Sequence, residues 1–222
     1  MSVLIFLIVV LFIIFLFLAR ANKLRQIKYI DCYPFNKVVA GKLKLKYPEF
    51  DREQHELIVR ALKDYFLICH KAKKKWVSMP SQVVDEAWHE FILSTKLYEN
   101  FCRRAFGYFL HHTPAESMPS PTTAKEGIKR AWKLICAHEA INPKAPNRLP
   151  LLFGIDAMLE IPGGFVYSID CTKNTNPAQN NSFCASHISC ASGCVGDSSS
   201  FFDSDASGCG GDSSCGSGCG GD

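Results

Sequence analysis

The chain has 222 residues, a net charge of +4 and 11 cysteines, seven of them from Cys171 onward. With an apolar leader and a low-complexity tail set aside, about 135 residues remain, enough for one compact domain with its own core. The charge is mild and no basic stripe is interleaved with aromatics, so no nucleic-acid partner is expected.

Val3 to Ala19 is an uncharged apolar run without a helix breaker. Its 17 residues reach the lower limit for a membrane-crossing helix. A cleaved signal peptide competes with an uncleaved anchor. No basic n-region precedes the run, and Arg20 interrupts the small-residue pattern Ala19–Ala21. Arg20, Lys23, Arg25 and Lys28 follow at once. By the positive-inside rule they hold the C-terminal side in the cytoplasm, where thiols stay reduced. The expected division is an anchor over 1–22, a basic juxtamembrane linker over 23–34, a helical domain over 35–170 and a disordered tail over 171–222.

Residues 35–46 place Phe35, Val38, Val39 and Leu43 at helical spacing between Pro34 and Pro48. The lysines of this helix suit either anionic headgroups or a solvated face. A second helix over about 51–74 carries the stripe Leu57, Ile58, Ala61, Leu62, Tyr65, Phe66 and Cys69. Asp51 is its expected N-cap, and Lys71, Lys73, Lys74 and Lys75 suit its C-terminus. The longest periodic stretch runs from Ser81, with Val84, Trp88, Phe91, Thr95, Tyr98, Cys102 and Phe106 forming one predicted core face up to Gly107. Thr123 to Glu126 has capping-box spacing and opens a helix with Ile128, Trp132 and Ile135; residues 150–160 read as a last short helix. Residues 165–169 alternate weakly, as a strand or an extended segment would. The fold class is therefore all-α: one transmembrane helix, then a bundle of four to five helices.

Beyond Thr172 the composition turns to Asn, Ser, Gly, Asp and Cys, which cannot bury enough apolar surface to fold. Cys194, Cys209 and Cys219 each open a C-x-G-D unit. The segment reads as a spacer or as a loose ligand for soft metals.

Asp85 and His89 are one turn apart on the flank of the core stripe, and His111 and His112 follow in the same unit. A carboxylate and imidazoles can supply three ligands for zinc or another first-row divalent metal. The same residues can instead form a purely structural Asp–His hydrogen-bond network, with Asp85 favoured in a first helical turn. Leu93 occupies the place where a zincin would have its second histidine, which excludes that protease motif. Cys136, His138 and Glu139 form a second cluster, with Glu139 needing a partner such as His89 or Arg104. Cys69 is followed by His70, but neighbours in a helix do not face each other, and Cys102 falls on the core stripe, so no thiol enzyme is expected.

The run Val84 to Pro114 resembles the glycine-rich domain-containing protein family through Asp85, Trp88, His89, Leu93, Tyr98, Cys102, Phe106, Gly107 and His111 or His112. The likeness covers about 47–116 and takes the form of a bacterial-type, membrane-anchored member; plant members are larger and soluble. It implies a helical fold and singles out Asp85, Trp88 and His89, with no established catalytic activity. Two functions follow as expectations. One is a membrane-anchored cytosolic helical module, a scaffold or sensor that binds metal or a protein partner. The other is a metal-dependent enzyme, most simply a hydrolase, built on the Asp/His cluster.

Overall fold

A computed structural model describes residues 2–112, 121–169, 182–184 and 188. Seven helices and two short strands are present among them: α1 (Ser2–Cys32), α2 (Phe35–Lys46), α3 (Arg52–Ala72), α4 (Gln82–Leu93), α5 (Thr95–Ala105), α6 (Pro121–His138), α7 (Leu151–Met158), β1 (Val166–Ser168) and β2 (Ser182–Cys184). The all-α class holds, with six helices after the first rather than four or five. The extra helix arises because the long periodic stretch breaks at Ser94, whose ψ of 58° leaves the helical region. The two halves bury different stripes. Thr95, expected in the core, is exposed, whereas Phe101 is fully buried.

Residues 23–32, expected as part of a linker, continue α1 instead. The physical reason is packing. Ile30 is fully buried, Tyr29 and Tyr33 lie against Phe101, and Gln26 accepts a hydrogen bond from His70 Nε2 at 3.0 Å. The apolar end of α1 is exposed along its length, and the helix is long and apolar enough to cross a membrane.

α3 is the central element, capped as expected by Asp51, which accepts from Gln54 N while Gln54 Oε1 accepts from Asp51 N. Its Phe66 meets Phe35, Phe91 and Phe101 at 5.5, 6.2 and 5.0 Å between ring centres, and all four rings are essentially inaccessible. Burying each such ring contributes about 1.5–3 kcal/mol, so this cluster binds α2, α3, α4 and α5 together. α2 forms a hairpin with α3, and two of its lysines meet α4: Lys42 pairs with Glu90 at 3.0 Å and Lys46 with Glu86 at 3.1 Å. These two lysines are engaged inside the fold rather than held free for headgroups. Gly107, at φ 78°, ends α5 with its N–H on Cys102 O and Arg103 O.

β1 pairs with β2 in parallel, Tyr167 opposite Phe183. β2 falls inside the stretch expected to be disordered. Its Phe183 packs on Phe165 and Tyr167 at 6.0 and 5.6 Å, which supplies apolar contact that composition alone does not reveal. The cysteine repeats at 194, 209 and 219 lie outside the described residues.

The second ligand-type cluster separates on folding. Cys136 is buried in the core and burial pushes its thiol up to about 11. His138 faces Asp64 at 3.2 Å. Glu139 pairs with Arg148 and accepts Leu151 N at 2.8 Å, capping α7, so its partners are neither His89 nor Arg104.

His70 is buried; its Nε2–H goes to Gln26, and its Nδ1 has no partner. Burial first, then Lys23 and Lys71, lower its pKa. A proton added at Nδ1 would find no acceptor, so the unfolded chain takes up a proton below pH about 6.5 that the folded chain resists. Folding stability is expected to fall as pH drops through that value towards the lower folded pKa. Denaturant melts of the full chain in detergent check this: His70→Gln should flatten the fall relative to wild type, and parallel curves would contradict it.

Candidate metal centre

α4 presents two charged flanks on either side of its buried stripe of Val84, Ala87, Trp88 and Phe91. Glu86 and Glu90 face α2, where Tyr47 and the two lysines hold them. Asp85 and His89 lie on the opposite flank, one turn apart as the 3.6-residue period requires. His89 Nδ1 is 3.4 Å from Asp85 Oδ2.

The third member comes from the segment after α5. His112 Nε2 lies 2.8 Å from Asp85 Oδ1, and its ring centre is 4.2 Å from that of His89 and 4.6 Å from that of Trp88. A relay positions this segment. Trp88 Nε1–H donates to Tyr98 Oη at 3.1 Å, and Tyr98 donates to Leu110 O at 2.5 Å, two residues before His112. Trp88 is thus both a core ring and a strut of the site. One ligand atom from each of Asp85, His89 and His112 lies within 4.8 Å of the others. His111 is not in this group: it is exposed and its ring lies tilted against Phe109 at 4.8 Å. Among the described residues, four side chains named from sequence reduce to a cluster of three.

A carboxylate and two imidazoles are a donor set that suits zinc or a neighbouring first-row metal and leaves a fourth position open. The same arrangement also serves as a hydrogen bond from the His112 ring to the Asp85 carboxylate, with His89 beside it. Asp85 and His112 border a cavity of about 590 Å³. Its walls include Tyr65, Trp88, Tyr108 and Tyr167, and Lys73, Lys74 and Lys75 stand along one side. Lys73 has φ 61° and its carbonyl accepts from Tyr108, which holds the lysine turn against the end of α5. Cys69 also lines the cavity, but burial pushes its thiol up to about 12, so it is no nucleophile at neutral pH.

The residue that sequence reasoning missed is Asp156. It is buried in α7, yet its carboxylate reaches the N-terminus of α4. It accepts from Ser81 Oγ at 2.6 Å, Gln82 N at 2.7 Å, Val83 N at 3.2 Å and Phe165 N at 3.0 Å. Ser81 in turn accepts from Val84 N, completing the cap. Gly164 makes the approach of the following chain possible, since a Cβ there would lie 2.9 Å from Asp156 Cβ. A lone carboxylate in an apolar helix, as in Leu151–Met158, is the sequence signal that such a partner must exist.

Removing this carboxylate strands buried N–H groups at the start of the helix that carries Asp85 and His89. Asp156→Ala is expected to cost roughly 2–5 kcal/mol, and Ser81→Ala about 1 kcal/mol. Urea midpoints of the two variants against wild type measure the difference; equal midpoints for Asp156→Ala and wild type would refute the role given to it.

A comparison with protein-family models matches residues 25–188 to the family described as UCP032817-like. No curated protein and no solved structure matches. The likeness of Val84–Pro114 to glycine-rich domain-containing proteins is one of motif, and the family match does not extend it.

Proposed function

The chain belongs to the UCP032817-like family, and on that premise we propose that it is a membrane-anchored helical module whose Asp85, His89 and His112 hold a divalent first-row metal such as zinc. The observation that carries the reading is the convergence of the three ligand atoms within 4.8 Å, from two segments distant in the chain. Three protein ligands leave one position for water or for a donor group of a partner protein. The anchor reading is supported by the unbroken helix through 19–21 and by the basic residues that follow the apolar run. It puts the domain on the cytoplasmic side.

A second reading, a metal-dependent hydrolase, is favoured by one observation. Asp85 and His112 open onto a cavity of about 590 Å³, large enough for a small-molecule substrate. A bound metal would supply an activated water there, while Asp85 and His112 would orient it towards that space.

Metal analysis of the purified full chain in detergent tests the centre. About one ion per chain is expected for wild type and for His111→Ala, with a large loss in His89→Ala and His112→Ala. A metal-free wild type would end both readings, and the cluster would then be a hydrogen-bond network. If metal is present, turnover of simple ester and phosphoester substrates separates enzyme from module. Topology has its own readout: Cys32, exposed at the end of α1, should resist an impermeant thiol reagent applied outside intact cells.

A further inference from the structure

The contacts of α1 reveal which end of the domain faces the anchor. Lys63 of α3 meets Asp31 at 3.5 Å, and His70 meets Gln26 at 3.0 Å. As α3 advances, its partners on α1 move back towards the apolar run, so the two helices are antiparallel. α5 does the same: Phe101 meets Tyr33 at 4.8 Å, Arg104 lies 6.0 Å over the ring of Tyr29, and a Cβ on Gly107 would lie 3.8 Å from Gln26 Nε2. The C-terminal ends of α3 and α5 therefore point to the side from which the apolar part of α1 projects. α2 runs the other way, from Phe35 beside Phe66 down to the start of α3.

The charge on that side is predominantly basic, with Arg103 paired to Glu99 at 2.9 Å. Exposed Lys73, Lys74 and Lys75 follow α3, Arg103 and Arg104 end α5, and Arg20, Lys23, Arg25 and Lys28 lie on α1. No Asp or Glu occurs in residues 1–30, 65–80 or 100–112. Gln26 is seven residues beyond Ala19, which is roughly 10 Å along a helix. That is about the depth of a headgroup layer and about one Debye length. The groups past His70 on α3 thus stand within reach of lipid phosphates.

We infer that the anchor-side end of the domain is a docking surface for an anionic lipid leaflet, with Lys73, Lys74, Lys75 and Arg104 as its phosphate contacts. The inference rests on α1 being an uncleaved anchor. It also sets the lysine side of the cavity that borders Asp85 and His112 against the headgroups. Ion pairing to phosphate is favourable here because these lysines have no acidic neighbour on their own segments.

The test uses the full chain in nanodiscs of phosphatidylcholine alone or mixed with phosphatidylglycerol, read by hydrogen–deuterium exchange. Residues 70–77 and 103–110 are expected to exchange several-fold more slowly in the mixed discs, and high salt should abolish the difference. The variant Lys73→Glu/Lys74→Glu/Lys75→Glu should lose the protection, while Lys44→Glu on the distal α2 keeps it. Equal exchange in the two lipids overturns the docking surface, as does protection that survives the charge reversal. Intact mass identifies the separate failure, a chain cleaved near Ala21 and absent from the discs, which overturns the anchor and the docking surface together.

Discussion

The Asp156 carboxylate is buried among apolar side chains, an arrangement tolerable only when every oxygen is met by donors. It is met by the hydroxyl of Ser81 and by three backbone N–H groups, two of them at the start of α4. The positive end of the α4 dipole adds to this. One side chain thereby joins α7, the N-terminus of α4 and the chain that leads into β1. The direction and rotation of α4 depend on it, and so does the placement of Asp85 and His89 one turn further on. The other anchorage of the cluster is the relay from Trp88 through Tyr98 to Leu110, which carries His112 into place.

The core explains why a helix with an exposed apolar half is nevertheless an integral part of the domain. α1 supplies Ile30 to the interior and Tyr29 to the ring cluster around Phe101, and Tyr33 joins that cluster just after the helix ends. A helix connected by a flexible linker would let the domain tumble relative to the helix axis. A continuous helix whose last turns are packed against α3 and α5 does not. The cluster of Asp85, His89 and His112, the cavity beside it and the basic end of the domain thus keep a constant relation to the helix axis.

Sequence patterning located most elements closely, because their signals are local. α2 is bounded by prolines, α3 by an Asp–Gln capping box, and α5 stops at a glycine in the left-handed region. It failed where two local signals were out of phase but adjacent. Residues 81–107 keep an apolar period across Ser94, so they read as one helix, although the buried stripe rotates there and Phe101 replaces Thr95 inside. It failed again at β2, where Phe183 is stabilised by partners 16 and 18 residues earlier that no short window contains.

What the sequence determined alone is the helical class, an apolar N-terminal run followed by positive charge, and the pairing of Asp85 with His89. Residues four apart on a helix share a flank whatever surrounds them. What only the tertiary structure decided is the choice of His112 over His111, the separation of Cys136, His138 and Glu139, and the role of Asp156. Adjacent residues in an irregular segment point in different directions, and their directions are set by contacts with other elements. Tyr98 holding Leu110 and Asp85 meeting His112 are such contacts, made across 12 and 27 residues of chain.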